Sequence, residues 1–200
     1  MRAPKSICLA AVVACSFHSP GPALAFDAAA ASVHDLKLGM TLEQVQTALK
    51  GQGHLSEEFG KKGRWKIETS SDQHPQYHEV LAIDLFGDKV ISIAQYLRMD
   101  SGAARTFMDA AKSKFGKPDC VYISDSESGA GSISYGTAPR DPYCQTDFPL
   151  TVKSREDNSS TSASVFLADR ARLVEQSKSE ERSNQDQRNS DGQAIKGIFK

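Results

Sequence analysis

Asp72, His74, His78 and Glu79 fall within eight residues, the densest run of metal-ligating side chains in the sequence. Zinc is held by imidazoles and carboxylates converging at about 2.0–2.2 Å. A metal-dependent hydrolytic centre on this segment, with His54 as a further ligand, is therefore the best enzyme-like reading the residues offer. The local chemistry opposes it. His74 and His78 would share one face of a helix, but Pro75 directly after His74 resists helix there. On extended chain, positions four apart lie roughly 13 Å from each other. A polar loop with solvated histidines is the simpler expectation. A second cluster, Lys61, Lys62, Arg64 and Lys66, surrounds Trp65, the only tryptophan. Cations beside an aromatic can engage phosphate, lipid head groups or an anionic glycan. The alternative is a strand whose alternate residues face water while Trp65 faces the core.

Two other patterns imitate chemistry. Ser132-Ile133-Ser134-Tyr135-Gly136 is one residue short of a nucleophile elbow, with serine where the first glycine belongs. The α/β-hydrolase order also needs a histidine after the nucleophile, and all five histidines lie at or before His78. Asp125, Glu127 and Gly129 evoke a calcium loop but lack its spacing and its closing bidentate glutamate. No motif here calls for a cofactor.

The beginning of the chain is an address. Arg2 and Lys5 precede an apolar run from Ile7 to Phe17, then Pro20-Gly21-Pro22 and a small-x-small site at Ala23-Leu24-Ala25. This pattern predicts a secretory signal peptide over 1–25, cleaved after Ala25, and a periplasmic or secreted protein. Val12-Val13-Ala14-Cys15 offers an alternative, a lipoprotein anchored through Cys15. Export gives the remaining cysteines meaning: Cys8 and Cys15 lie in the leader, and Cys120 with Cys144 most simply forms one disulfide. The net charge is −1, and removing the two leader cations leaves 22 basic against 25 acidic residues, or −3. No global basic field exists to attract nucleic acid. No stretch approaches the ~20 apolar residues of a transmembrane helix.

Elements that could position these residues are legible as patterns. Thr41-Leu42-Glu43-Gln44 is a capping box, and Leu42, Val45 and Leu49 step along one helical face until Gly51 and Gly53. Trp65, Ile67 and Thr69 alternate with polar residues as in a half-buried strand. Val80–Leu85 and Val90–Tyr96 flank Gly87-Asp88 as a hairpin, and apolar residues on both faces of Val90–Ile93 mark a central strand. A second amphipathic helix spans about Ser101 to Phe115, closed by Gly116 and Pro118. Short strands follow near Cys120–Ser124, Ser132–Tyr135, Leu150–Arg155 and Ser162–Ala168. The expected fold is α+β, with short amphipathic helices on antiparallel sheet. The expected organisation is a flexible arm over 26–34, one domain over 35–174 and a polar disordered tail over 175–200. Helix-then-strands occurs twice, over 35–99 and 100–174, as in a diverged tandem repeat.

Leu36-Lys37-Leu38-Gly39-Met40-Thr41-Leu42-Glu43-Gln44-Val45, with strands following, resembles a broad group of small exported bacterial proteins. That group includes the small lipoprotein of the outer-membrane barrel-assembly machinery and the β-lactamase-inhibitory protein. In it a Gly-Met-Thr/Ser step leads into a short helix on antiparallel strands, sometimes in tandem. The resemblance implies a scaffold that binds proteins or envelope components without catalysis, and it transfers no functional residue. The function expected from the sequence is thus a non-catalytic exported module that binds a protein or a cell-envelope component. The alternatives are a secreted inhibitor or interaction factor and the small metal-dependent hydrolase. The oligomeric state is not legible.

Overall fold

The structure, a computed structural model, describes residues 26–58, 61–70, 78–136, 143–144 and 148–198. A helix followed by four strands occurs twice, and a third helix closes the chain. The first run is α1 (Leu42–Ala48), β1 (Ser56–Glu57), β2 (Arg64–Ser70), β3 (His78–Phe86) and β4 (Lys89–Asp100). The second is α2 (Ala104–Phe115), β5 (Cys120–Ile123), β6 (Gly131–Tyr135), β7 (Leu150–Glu156) and β8 (Ser160–Ala168), followed by α3 (Arg170–Ile198). All eight strands form one antiparallel sheet in the order β1-β2-β3-β4-β8-β7-β6-β5. The fold is α+β, as the sequence pattern predicts. Each helix-plus-strands run supplies half the sheet, and the last strands of the two runs pair at its centre.

Strand register makes the two faces of the sheet different. Cross-strand partners Tyr135, Leu150, Leu167, Ile93, Ile83 and Trp65 form one continuous row. Ile133, Val152, Val165, Gln95, Leu81 and Ile67 form the next. These rows, with Val45 and Leu49 of α1 and Met108 and Ala111 of α2, make the hydrophobic core. Both helices therefore cover the same face. At seven residues α1 is too short to persist alone, and its Thr41 capping box forms as expected, with Gln44 answering the Thr41 amide at 2.8 Å. A register shift between Asp84 and Leu85 gives β4 one extra residue, so Val90 and Ile93 both reach the core. That bulge, together with the central position of β4, is the physical reason for the apolar run read at Val90–Ile93. Gly131 is required by close approach: a Cβ there would lie 2.1 Å from the Tyr122 carbonyl oxygen.

Two segments differ from their sequence readings. The stretch expected to be a flexible arm is docked: Val33 is 2% exposed, and Phe26, Ala28 and Ala31 pack on the core. Phe26 lies against Tyr135 with ring centroids 5.6 Å apart. Alanine-rich composition hid these anchors because residue type does not separate the packed Ala28 and Ala31 from the exposed Ala29 and Ala30. Over the stretch read as a polar tail, α3 continues to Ile198, about 43 Å at 1.5 Å per residue. Asp169 caps it through the Arg172 amide at 3.1 Å, and Gln176 bonds Glu180 one turn on. Most of its described side chains are exposed. The compositional argument that this stretch buries little holds, while local helix-forming bonds decide its backbone.

Candidate functional site

The sheet face away from α1 and α2 is open, and its chemistry follows from the same register. Tyr96, Ser164, Lys153, Ser132 and Tyr122 are successive cross-strand partners on β4, β8, β7, β6 and β5. Five strands at about 4.8 Å place the two tyrosines roughly 19 Å apart with the lysine between them. The adjacent row holds Arg98, Ser162 and Arg155. All of these except Arg98 line a shallow groove of about 460 Å³. Tyr96 is 52% exposed, unusual for a large aromatic on a sheet.

The far wall is fixed by the disulfide. Cys120 and Cys144 are joined, with Cα atoms 5.6 Å apart. The Ser132 hydroxyl donates to the Tyr143 carbonyl at 2.6 Å, and Ser134 donates to that of Cys144 at 2.8 Å. These bonds hold Tyr143 edge-on against Tyr122 at 5.3 Å between centroids. Ser134 is thus buried in a structural bond, and residues 132–135 of the near-elbow belong to strand β6, with Gly136 just after it.

The four cations singled out in the sequence, Lys61, Lys62, Arg64 and Lys66, lie at the other half of the sheet. Arg64 makes a fork on Asp84, Nε to Oδ1 at 2.5 Å and Nη2 to Oδ2 at 3.1 Å, and Ser92 donates to the same carboxylate at 2.6 Å. The hydrogen bond with Asp84 raises the Arg64 pKa above its ordinary value. Lys61 bonds Glu58 at 2.7 Å and Lys66 bonds Glu68 at 2.9 Å, holding both carboxyls below the usual glutamate range. Gln176, Glu180, Ser183 and Asn184 of α3 face this cluster across a groove of about 450 Å³. Trp65 packs against the core while its neighbours face away, so the alternating-strand reading describes the segment. Three of the four cations are neutralised within the fold.

Of the metal candidates, Asp72 and His74 lie outside the described residues. His78 and Glu79 are adjacent on β3 and therefore point to opposite faces. Glu79 faces the core side, where it meets His34 and accepts from Gln95 Nε2 at 2.8 Å. His54 is exposed after α1. Asp125 is consumed by its own turn, accepting from the Glu127 amide at 3.0 Å and the Ser128 hydroxyl at 2.6 Å.

Sequence reasoning missed the tyrosine–lysine row and the His34–Glu79–Gln95 contact. The alternation of Thr151, Lys153 and Arg155 with Leu150, Val152 and Ser154 was the available signal for the open face. No helix among the described residues is long and apolar enough to cross a membrane. No protein-family model, curated protein or solved structure matches the chain.

Proposed function

We propose that this chain is a non-catalytic exported binding module that engages a protein of the cell envelope through the open face of its sheet. The observation that carries this reading is the row from Tyr96 to Tyr122, aromatic at both ends and left uncovered by α1 and α2, which pack on the opposite face, while α3 faces the Arg64–Asp84 side. Tyrosine supplies large contact area at low entropic cost and is enriched at protein interfaces. The disulfide stiffens the rim of the groove, as suits a preformed recognition surface in an oxidising compartment. Cleavage after Ala25 accords with the packing of Phe26 on Tyr135, which anchors the first side chain of the mature protein. A secreted inhibitor would use the same face, so location separates the two roles.

Replacing Tyr96 and Tyr122 with alanine tests the reading, because Tyr96 is exposed and Tyr122 half-exposed, leaving the core intact. Gently solubilised envelopes are resolved by size, and the chain is followed by immunodetection. The expected result is release of the variant from a larger complex that holds the native chain and an Asp109→Ala control on exposed α2. Native chain migrating alone, or both variants retained equally, overturns the proposal.

A further inference from the structure

The open face distinguishes cations already neutralised from cations still available. Arg98 and Lys153 have no carboxylate partner among the described residues, and Arg155 has only Asp157 at 3.6 Å, with both side chains largely exposed. They lie together: Lys153 and Arg155 are two residues apart on β7, and Arg98 and Arg155 flank Ser162 in one row. Two residues along a strand span about 7 Å, and two strand-to-strand steps about 10 Å. Side chains two apart in an extended peptide have that same spacing of about 7 Å. Tyr96 and the Tyr122–Tyr143 pair bound the cations on either side.

We infer that this half of the face docks an extended acidic segment of a protein partner, with carboxylates at alternate positions over Lys153, Arg155 and Arg98 and apolar contacts on the tyrosines. The inference rests on the protein-binding role proposed above, which favours a peptide over an anionic glycan. It assigns the anionic ligand to a different part of the molecule from Lys61, Lys62, Arg64 and Lys66, whose charges are largely met by Glu58, Asp84 and Glu68. Ser162 lies between Arg98 and Arg155 and Ser164 between Lys153 and Tyr96, and their hydroxyls can donate to carboxylate or peptide carbonyl oxygens.

The test is an amide chemical-shift titration of the full mature chain with a short peptide of alternating glutamate and tyrosine. Its glutamine counterpart and an oligogalacturonate are titrated in parallel. The acidic peptide is expected to move Tyr96, Lys153 and Ser164, and to weaken as salt is added. Arg98→Glu with Lys153→Glu is expected to reduce affinity at least about tenfold, and Lys61→Glu with Lys62→Glu to change it less than about twofold. The milder pair Arg98→Gln with Lys153→Gln reads in the same direction, and the amide spectrum of each variant reports its folding. Equal binding of the glutamine peptide, equal damage from the Lys61 and Lys62 reversals, or tighter binding of the oligogalacturonate overturns the inference. A chain that keeps its tyrosine-dependent envelope complex yet ignores the acidic peptide refutes the acidic partner alone. Loss of tyrosine dependence in that complex refutes the binding role itself.

Discussion

The two halves of the open face carry cations on equivalent strand surfaces, yet only one half keeps its charge available. On β2 and β3, Arg64 and Lys66 are met by Asp84 and Glu68 of the same half. On β4 and β7, Arg98 and Lys153 have no such partner among the described residues, and the aromatic rings gather beside them. A count of charges along the sequence ranks the first cluster higher, because its four cations fall within six residues. Register reverses that ranking. An ionic group that already has a short, forked partner offers little to a ligand, since binding would first have to break the pair.

The largest expected effect comes from breaking the half that retains its charge. Gly131→Ala forces a Cβ to within 2.1 Å of the Tyr122 carbonyl, so β5 must separate from β6. Chemical denaturation should show a loss on the order of 3 kcal/mol, and the Tyr122–Tyr143 end of the groove should lose its defined amide shifts. Removing the disulfide by Cys120→Ser with Cys144→Ser should cost about 2–4 kcal/mol, measured by the same unfolding curve, with the β2–β3 half keeping its spectrum. Persistence of the groove's tyrosine contacts without the bridge would mean that the serine bonds to residues 143 and 144 suffice.

A smaller change sharpens the contrast. Asp84→Asn removes the carboxylate that occupies Arg64 and accepts from Ser92. The stability cost is expected to be about 1–2 kcal/mol, reduced from that of a buried charged bond by the partial exposure of Arg64. Arg64 should then contribute to acidic-peptide binding, seen as new shifts on β2 and β3. An unchanged shift map would show that the contrast between halves does not depend on this pair.

Much of the architecture was legible residue by residue. The Thr41 box, the Gly87 hairpin, the second helix and the Cys120–Cys144 pairing are local or compositional signals, and each is present in the structure. The alternation in β7 contains which of its residues share a face. What the alternation does not contain is which strands are neighbours. Tyr96 and Tyr122 are far apart in the chain and meet the same groove only because β4 pairs with β8 and the second run folds back from it. The neutralisation of Arg64 is hidden for the same reason, since Asp84 lies twenty residues on and reaches it through register. The docking of residues 26–34 rests on one buried valine, a ring contact with Tyr135 and the partly buried Ala28 and Ala31, too sparse a pattern to read as periodicity.

The smallest expected effects concern single polar groups. The side chain of Ala103 gives α2 no cap, and Glu156 serves instead, accepting from the Gly102 amide at 2.5 Å and the Thr161 hydroxyl at 2.6 Å. The Thr161 bond first, then the Gly102 amide, lowers its pKa from the ordinary 4.5. Its stabilising contribution is therefore present above that value and is lost as pH falls through the lower folded value. Unfolding midpoints followed downward from pH 5 should fall less steeply for Glu156→Gln than for the native chain; equal slopes would remove Glu156 from the account. Tyr135 is fully buried, and burial pushes its phenol up to about 12. Tyr135→Phe should change stability by less than about 1 kcal/mol, because the hydroxyl reaches the Ala111 carbonyl only at 3.5 Å. Ultraviolet titration should show the loss of one tyrosine that ionises at about 12.

Photo-cross-linking in intact cells tests the central claim most directly. A photoreactive phenylalanine replaces Tyr96 on the open face in one strain and Asp109 on exposed α2 in another. A single discrete adduct from position 96, absent from position 109 and weakened by Lys153→Glu, is the predicted result. Adducts of equal yield from both positions, or none from position 96, would contradict it.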